Sequence, residues 1–181
     1  MNLVCKSFFV ASVCCVANNS HAYTIERAGD MLNLAIPAYA FGEAVQESTQ
    51  KSDYTSTKQF AYSYITALLT QVAIKELKIE QRPNGGDLRS FPSGHTQSAF
   101  SGAAFIRKRY GFKQAIVPYL LAGFVGYSRV YAKAHYWHDV VAGAMVAELW
   151  AWLLVDRCDS GINILVSADK NGVSLYFNLK F

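Results

Sequence analysis

Between two apolar segments the chain crowds a serine, an arginine, two histidines and an aspartate into Ser128–Asp139, and a fold has to give that crowding a reason. His135 and Asp139 stand four residues apart, so on a helix they share one face. The carboxylate can then accept a proton from one imidazole nitrogen, which fixes the tautomer and frees the other nitrogen to act. His138, as the immediate neighbour of Asp139, points away on a helix and is the weaker candidate for the active imidazole. Arg129 carries a fixed charge on a planar fork of donors that suits a phosphate or a carboxylate. Taken alone, the stretch also reads as a histidine-rich helix start with a solvated arginine.

Two clusters upstream shift that balance. Phe91-Pro92-Ser93-Gly94-His95-Thr96 precedes the small, apolar run Ala99–Ile106, which puts a hydroxyl, a glycine and a histidine at a helix N-terminus. Unpaired backbone N–H groups and the positive end of the helix dipole gather there, and glycine lets an anion approach the main chain. Earlier, Lys75 and Arg82 lie seven residues apart, about two helical turns, so both can occupy one side of a helix that Pro83 ends. By themselves these would be two solvated charges at a helix end. Together the clusters supply three cations (Lys75, Arg82, Arg129), neutral donors at Ser93 and the Gly94 N–H, and two imidazoles, His95 and His135. That set fits phosphoryl transfer to a histidine.

These residues resemble the signature of the type-2 phosphatidic acid phosphatase and vanadium haloperoxidase superfamily. Lysine, six residues and arginine-proline match Lys75 through Pro83; Pro-Ser-Gly-His matches Pro92 to His95; serine-arginine, five residues, histidine, three residues and aspartate match Ser128 to Asp139. The three parts occur in the family's order over about a third of the chain. The resemblance implies a helical bundle in which His135 is the nucleophile, Asp139 orients it and His95 protonates the leaving oxygen. It also implies that Lys75, Arg82, Ser93, Gly94 and Arg129 hold the phosphate oxygens.

Residues 1–22 read as a secretory signal. Lys6 is its only charge, Phe8–Ala17 is an apolar core too short to span a bilayer, and Ser20-His21-Ala22 is a small-residue cleavage site. Its removal takes Cys5, Cys14 and Cys15 away and leaves Cys158 with no partner for an intramolecular disulfide. Residues 23–181 are then expected to form one domain, with a helical core over about 25–156 and a C-terminal hairpin over about 162–181. Apolar periodicity predicts helices over about 25–45, 58–79, from Ser93 to about 109, 113–127 and 138–155, with Pro37 bending the first and a polar loop over 46–57. Small residues at Ala142, Gly143, Ala144 and Ala147 let the fifth pack closely on a neighbour. Beyond Gly161 the pattern alternates. Asn171-Gly172 is a preferred hairpin turn that would pair Ala168 with Leu175 and Val166 with Phe177. The expected class is all-α, a compact bundle of about five helices with that short hairpin.

The net charge of +4, reduced by one if Lys6 is cleaved, suits anionic substrates or an anionic lipid surface, and no basic patch interleaved with stacking aromatics indicates nucleic acid. The uncharged stretches Gln59–Ile74, Ser90–Ile106, Gln114–Ser128 and Val140–Ala147 all fall short of the roughly 20 residues of a spanning helix, and mean hydropathy is only +0.12. The expectation is a compact exported domain of the periplasm or cell envelope, resting on the membrane, with an integral form as its rival. Oligomeric state is left open. The functional expectation is a metal-independent, cofactor-free phosphatase acting on phosphomonoesters or lipid pyrophosphates. Its rivals are a vanadate-dependent haloperoxidase, since vanadate occupies the same pocket, and a non-catalytic envelope protein assembled through the hairpin.

Overall fold

The computed structural model describes the backbone of residues 21–158, 162–169 and 172–179. Among them are five helices: α1 (His21–Lys51), α2 (Thr55–Glu76), α3 (Gly94–Tyr110), α4 (Phe112–Tyr131) and α5 (Trp137–Leu154). The domain is all-α. The expected signal segment, apart from His21 and Ala22, lies outside the described residues.

Helix α3 is the centre of the bundle and touches the other four. Its small residues explain why. Ala99, Ala103 and Ala104 are fully buried, and a Cβ built on Gly102 would come within 2.9 Å of the Ile36 carbonyl, so α1 crosses α3 almost backbone on backbone. Gly143 makes the equivalent approach from α5, where a Cβ would stand 2.5 Å from the Ser93 carbonyl oxygen. The close packing expected of the fifth helix is thus aimed at the start of α3. On one side of α3, Phe105 packs edge-on against Phe60 with ring centroids 5.1 Å apart, among Ala40, Ala44, Ile106, Ala151 and Val155. A second cluster of Ile36, Ala99, Ala103, Ala122 and Val125 joins α1, α3 and α4.

Several helix boundaries differ from the sequence expectation, and three of them bear on the burial of charge or on the site. Helix α1 continues through the polar run to Lys51 because Glu47 and Ser48 are buried rather than solvated. Helix α2 stops at Glu76, and Lys78 turns the chain with φ 49°, so Arg82 lies in the following loop and not on the helix with Lys75. Helix α4 runs on to Tyr131 and carries Ser128 and Arg129 in its last turns. Helix α3 ends as expected, at Gly111 with φ 100°, a conformation that suits glycine.

Of β1 (Ile162–Asp169) and β2 (Gly172–Leu179) only the backbone is described, as an antiparallel ladder, and the turn residues 170–171 lie outside the described residues. The ladder sets Ala168 opposite Val173 and Val166 opposite Leu175, two residues from the register of an Asn171-Gly172 turn, because Gly172 is itself paired with Asp169. The apolar face expected of the hairpin concerns side chains outside those described.

The outer surface of the bundle carries large apolar side chains on four helices, including Leu34 (α1), Leu69 (α2), Leu120 (α4), and Met145 and Trp152 (α5), each more than half exposed. No described helix is long and apolar enough to cross a membrane.

Candidate active site

The site forms where the N-terminus of α3 meets the start of α5 and the end of α4. Ser93 occupies the N-cap position of α3 in an extended conformation, and its backbone N–H donates to the Asp139 carbonyl at 3.0 Å, which ties the two helix starts together. Its fully buried hydroxyl is hydrogen-bonded to Thr96 Oγ1 at 2.9 Å. Gly94 opens the helix, and a Cβ there would lie 3.2 Å from the Gln71 side-chain nitrogen, a tight fit that favours glycine. The first N–H groups of such a helix have no intrahelical acceptor and point towards any anion placed there.

His135 and Asp139 do meet, by a different route from the expected one. His135 precedes α5, in the turn after α4, so the two do not share a helical face. Asp139 instead sits in the first turn of α5 and reaches back: its Oδ2 accepts from the Tyr136 N–H at 2.9 Å and stands 3.3 Å from His135 Nδ1. Both side chains are buried. With Nδ1 held by the carboxylate, Nε2 is the nitrogen left for chemistry. Burial, with the charges of Lys75 and Arg82, outweighs the pull of Asp139 and brings the His135 pKa down to about 4. His135 is therefore neutral near pH 7, the form in which an imidazole can act as a nucleophile.

The cations converge from separate segments. Lys75, in the last turn of α2, donates to the Arg89 carbonyl at 2.6 Å, and its pKa falls to about 8 through burial and the neighbouring Arg82 charge. Arg82 is held by Asp87, with Nε 2.7 Å from Oδ1. Its charge contributes to lowering the pKa of both His135 and His95. Arg129 is buried, with Nη1 donating to Asp30 Oδ1 at 2.7 Å, Nη2 to the Glu26 carbonyl at 2.7 Å and Nε to Ser128 Oγ at 3.1 Å. His95 Nε2 lies 3.2 Å from the same Asp30 oxygen. Burial and Arg129 lower the His95 pKa, and Asp30 opposes them.

His138 is placed differently from the expectation that it turns away from Asp139. Its ring is exposed, yet Nε2 is 2.6 Å from Glu80 Oε2 and 3.3 Å from Asp139 Oδ1. A residue next to Asp139 in sequence reaches it because both lie in the first turn of α5, beside the loop that carries Glu80.

Two contributors carry no local signal in the sequence. Asp30 lies on α1, far upstream of the motif segments, and only the α1–α4 packing brings it to Arg129. Ser90 is fully buried; its Oγ donates to Asp139 Oδ2 at 2.5 Å and stands 3.5 Å from His135 Nδ1. A hydrogen bond to a buried carboxylate contributes about 1.5–3 kcal/mol. Ser90→Ala is accordingly expected to lower kcat by about 10- to 100-fold with little change in KM, while Ser90→Thr, which keeps the hydroxyl, recovers part of it. Steady-state kinetics on the two variants checks this, and an alanine variant of unchanged kcat would remove Ser90 from the Asp139 relay.

The PAP2 superfamily model matches residues 16–157. The chain is 31% identical over 175 residues to the lipid A 4'-phosphatase of Helicobacter pylori, a match covering 87% of this chain and 84% of that protein. It is 34% identical over 100 residues to the lipid A 1-phosphatase of Porphyromonas gingivalis, of whose length it spans 22%. Among solved structures, Aquifex aeolicus LpxE superposes with a TM-score of 0.60 at 20% identity, over 73% of this chain and 83% of that one, a likeness of fold.

Proposed function

The chain belongs to the PAP2 superfamily, and from that premise we propose that it is a phosphatase of lipid phosphates, with lipid A phosphates the favoured substrates, working through a phosphohistidine on His135. The observation that carries this reading is the buried, neutral His135 held through Nδ1 by Asp139 within the field of two cations. In the first step Nε2 attacks phosphorus, the bond to the ester oxygen breaks, and His95 in its protonated form delivers a proton to that oxygen. The negative phosphate, bound beside His95, favours the imidazolium that this step needs. Asp139 stabilises the positive charge that develops on His135. In the second step water attacks the phosphohistidine, gives a proton to His95 and breaks the P–N bond. Lys75, Arg82, Arg129, Ser93 and the Gly94 N–H hold the non-bridging oxygens, where charge grows in the transition state. Asp30 keeps His95 and Arg129 in register until the substrate arrives.

Two observations favour a lipid over a soluble ester: the relative matched along most of its own length is named for lipid A, and apolar side chains lie exposed on four helices. We place the enzyme in the cell envelope, in contact with a lipid surface. The test is a panel of lipid A, a lipid pyrophosphate and a soluble aryl phosphate, with purified full-length protein in detergent and chelator present. Phosphate release is expected from the lipids at higher kcat/KM than from the soluble ester, with inhibition by vanadate, whose five-coordinate form mimics the transition state. Halide oxidation by peroxide and vanadate without phosphate release would reverse the assignment.

A further inference from the structure

His138 takes no part in the chemistry proposed for His135, yet its ring is held in place. It stacks on Tyr136 with centroids 5.3 Å apart and lies 6.3 Å from the Phe91 ring, and its Nε2 faces two carboxylates. Ligand atoms of Glu80, His138 and Asp139 all lie within 4.8 Å of one another. Asp139 is fully buried and its two oxygens are treated unequally. Oδ2 is shared by Ser90, Tyr136 and His135, whereas Oδ1 accepts no hydrogen bond and has His138 Nε2 beside it at 3.3 Å. A buried carboxylate oxygen left without a donor is costly, and a cation is the partner that would satisfy it.

We propose that Glu80, His138 and Asp139 form a binding site for a divalent transition-metal ion, with zinc the best match, and that its occupation inhibits the enzyme. One imidazole and two carboxylates suit zinc better than magnesium or calcium, which prefer oxygen alone, and three protein ligands leave a position for water. Zinc with ligands near 2.0–2.1 Å needs them about 3.3 Å apart. The pair of His138 Nε2 and Glu80 Oε2 must therefore open from 2.6 Å, and His138, 57% exposed, has room to do so. The metal would draw electron density from Asp139 through Oδ1. Oδ2 then stabilises the developing His135 imidazolium less well, so kcat falls while the anion pocket remains. The inhibition rests on the phosphohistidine reading; the binding does not.

The test uses full-length protein in detergent, titrated with zinc in a calorimeter and with cobalt as a visible-absorption probe. One equivalent should bind, and Glu80→Gln and His138→Ala should each weaken binding by at least the roughly 10- to 100-fold that loss of a supporting group costs at metal sites. Both variants should keep wild-type thermal stability in chelator and near-wild-type activity, and Glu80→Gln should resist zinc at concentrations that lower wild-type kcat. Absence of stoichiometric binding, or binding unchanged in both variants, would overturn the site. Binding without any fall in kcat would overturn the inhibition alone. Binding by a protein that releases no phosphate would support the site while removing the phosphatase reading and, with it, the inhibition.

Discussion

His135→Ala is expected to lower turnover by about 10⁴-fold or more on every phosphate ester, because His135 is held by its carboxylate through Nδ1 and keeps Nε2 for attack, whereas His95 meets Asp30 through Nε2 itself. Rapid quench with labelled substrate should trap an acid-labile phosphoenzyme in the wild type and none in this variant. Label on Ser93 or His138 instead, or near-normal turnover, would sink the mechanism. Asp139→Asn should impair the same step by misorienting the ring without emptying the anion pocket. His95→Ala should be severe for lipid and alkyl phosphates and milder for an aryl phosphate whose phenolate leaves readily. The pH profile carries the same signature. The free enzyme should lose kcat/KM as pH falls towards about 4, where His135 gains a proton, and lose anion affinity as pH rises through about 8, where Lys75 gives one up. Because the folded-state pKa of His135 is depressed, its contribution to stability is present above the ordinary histidine pKa of 6.5 and is lost as pH falls towards 4.

The largest effect on stability is expected at the other end of α3. Arg109 forms a two-pronged pair with Glu47, Nη2 to Oε1 at 2.6 Å and Nε to Oε2 at 2.9 Å, with both side chains more than nine-tenths buried. Arg109 Nη1 also reaches Gln59 Oε1 at 3.3 Å and the Asp156 carbonyl at 3.2 Å. One guanidinium thus joins α1, α2, α3 and the segment after α5. Burial pushes the Glu47 carboxyl up, but hydrogen bonds from Arg109 and Lys51 outweigh it and hold the pKa well below the usual range. Arg109→Met leaves that carboxylate buried and short of donors, which costs about 3–5 kcal/mol, or a fall in Tm of roughly 6–20 °C for a chain of this size. The double variant Arg109→Met/Glu47→Leu should recover most of the loss, since replacing both partners removes the stranded charge. A double variant less stable than the single one would contradict this account. The pair lies about 22 Å along α3 from the active site, so kcat of the folded fraction should not change. The Glu47 contribution is present above the ordinary glutamate pKa of about 4.5 and fades as pH falls below it.

The groups that the proposed mechanism uses can be read in the sequence because their relations are short-range. A cap, a glycine at a helix start and an imidazole four residues from a carboxylate are relations the chain can make within a turn or two, and five helices follow from apolar periodicity in the same way. Polarity was misread where its partner was remote. Glu47 looked like part of a solvated loop, but Arg109, 62 residues away, buries it and extends α1 to Lys51. Helical spacing also misplaced Arg82, because a left-handed turn at Lys78 ended α2 first. Ser90 reaches Asp139 across 49 residues and Asp30 reaches Arg129 across 99, and no local pattern marks either contact. What brings them together is packing around α3, where Gly102 and Gly143 allow α1 and α5 to approach almost to the backbone. The sequence alone therefore marked the groups that the proposed reaction needs. Beyond the Asp139–His135 pair, only the tertiary structure decided which carboxylates hold them, because a buried charge takes its partner from whichever helix lies against it.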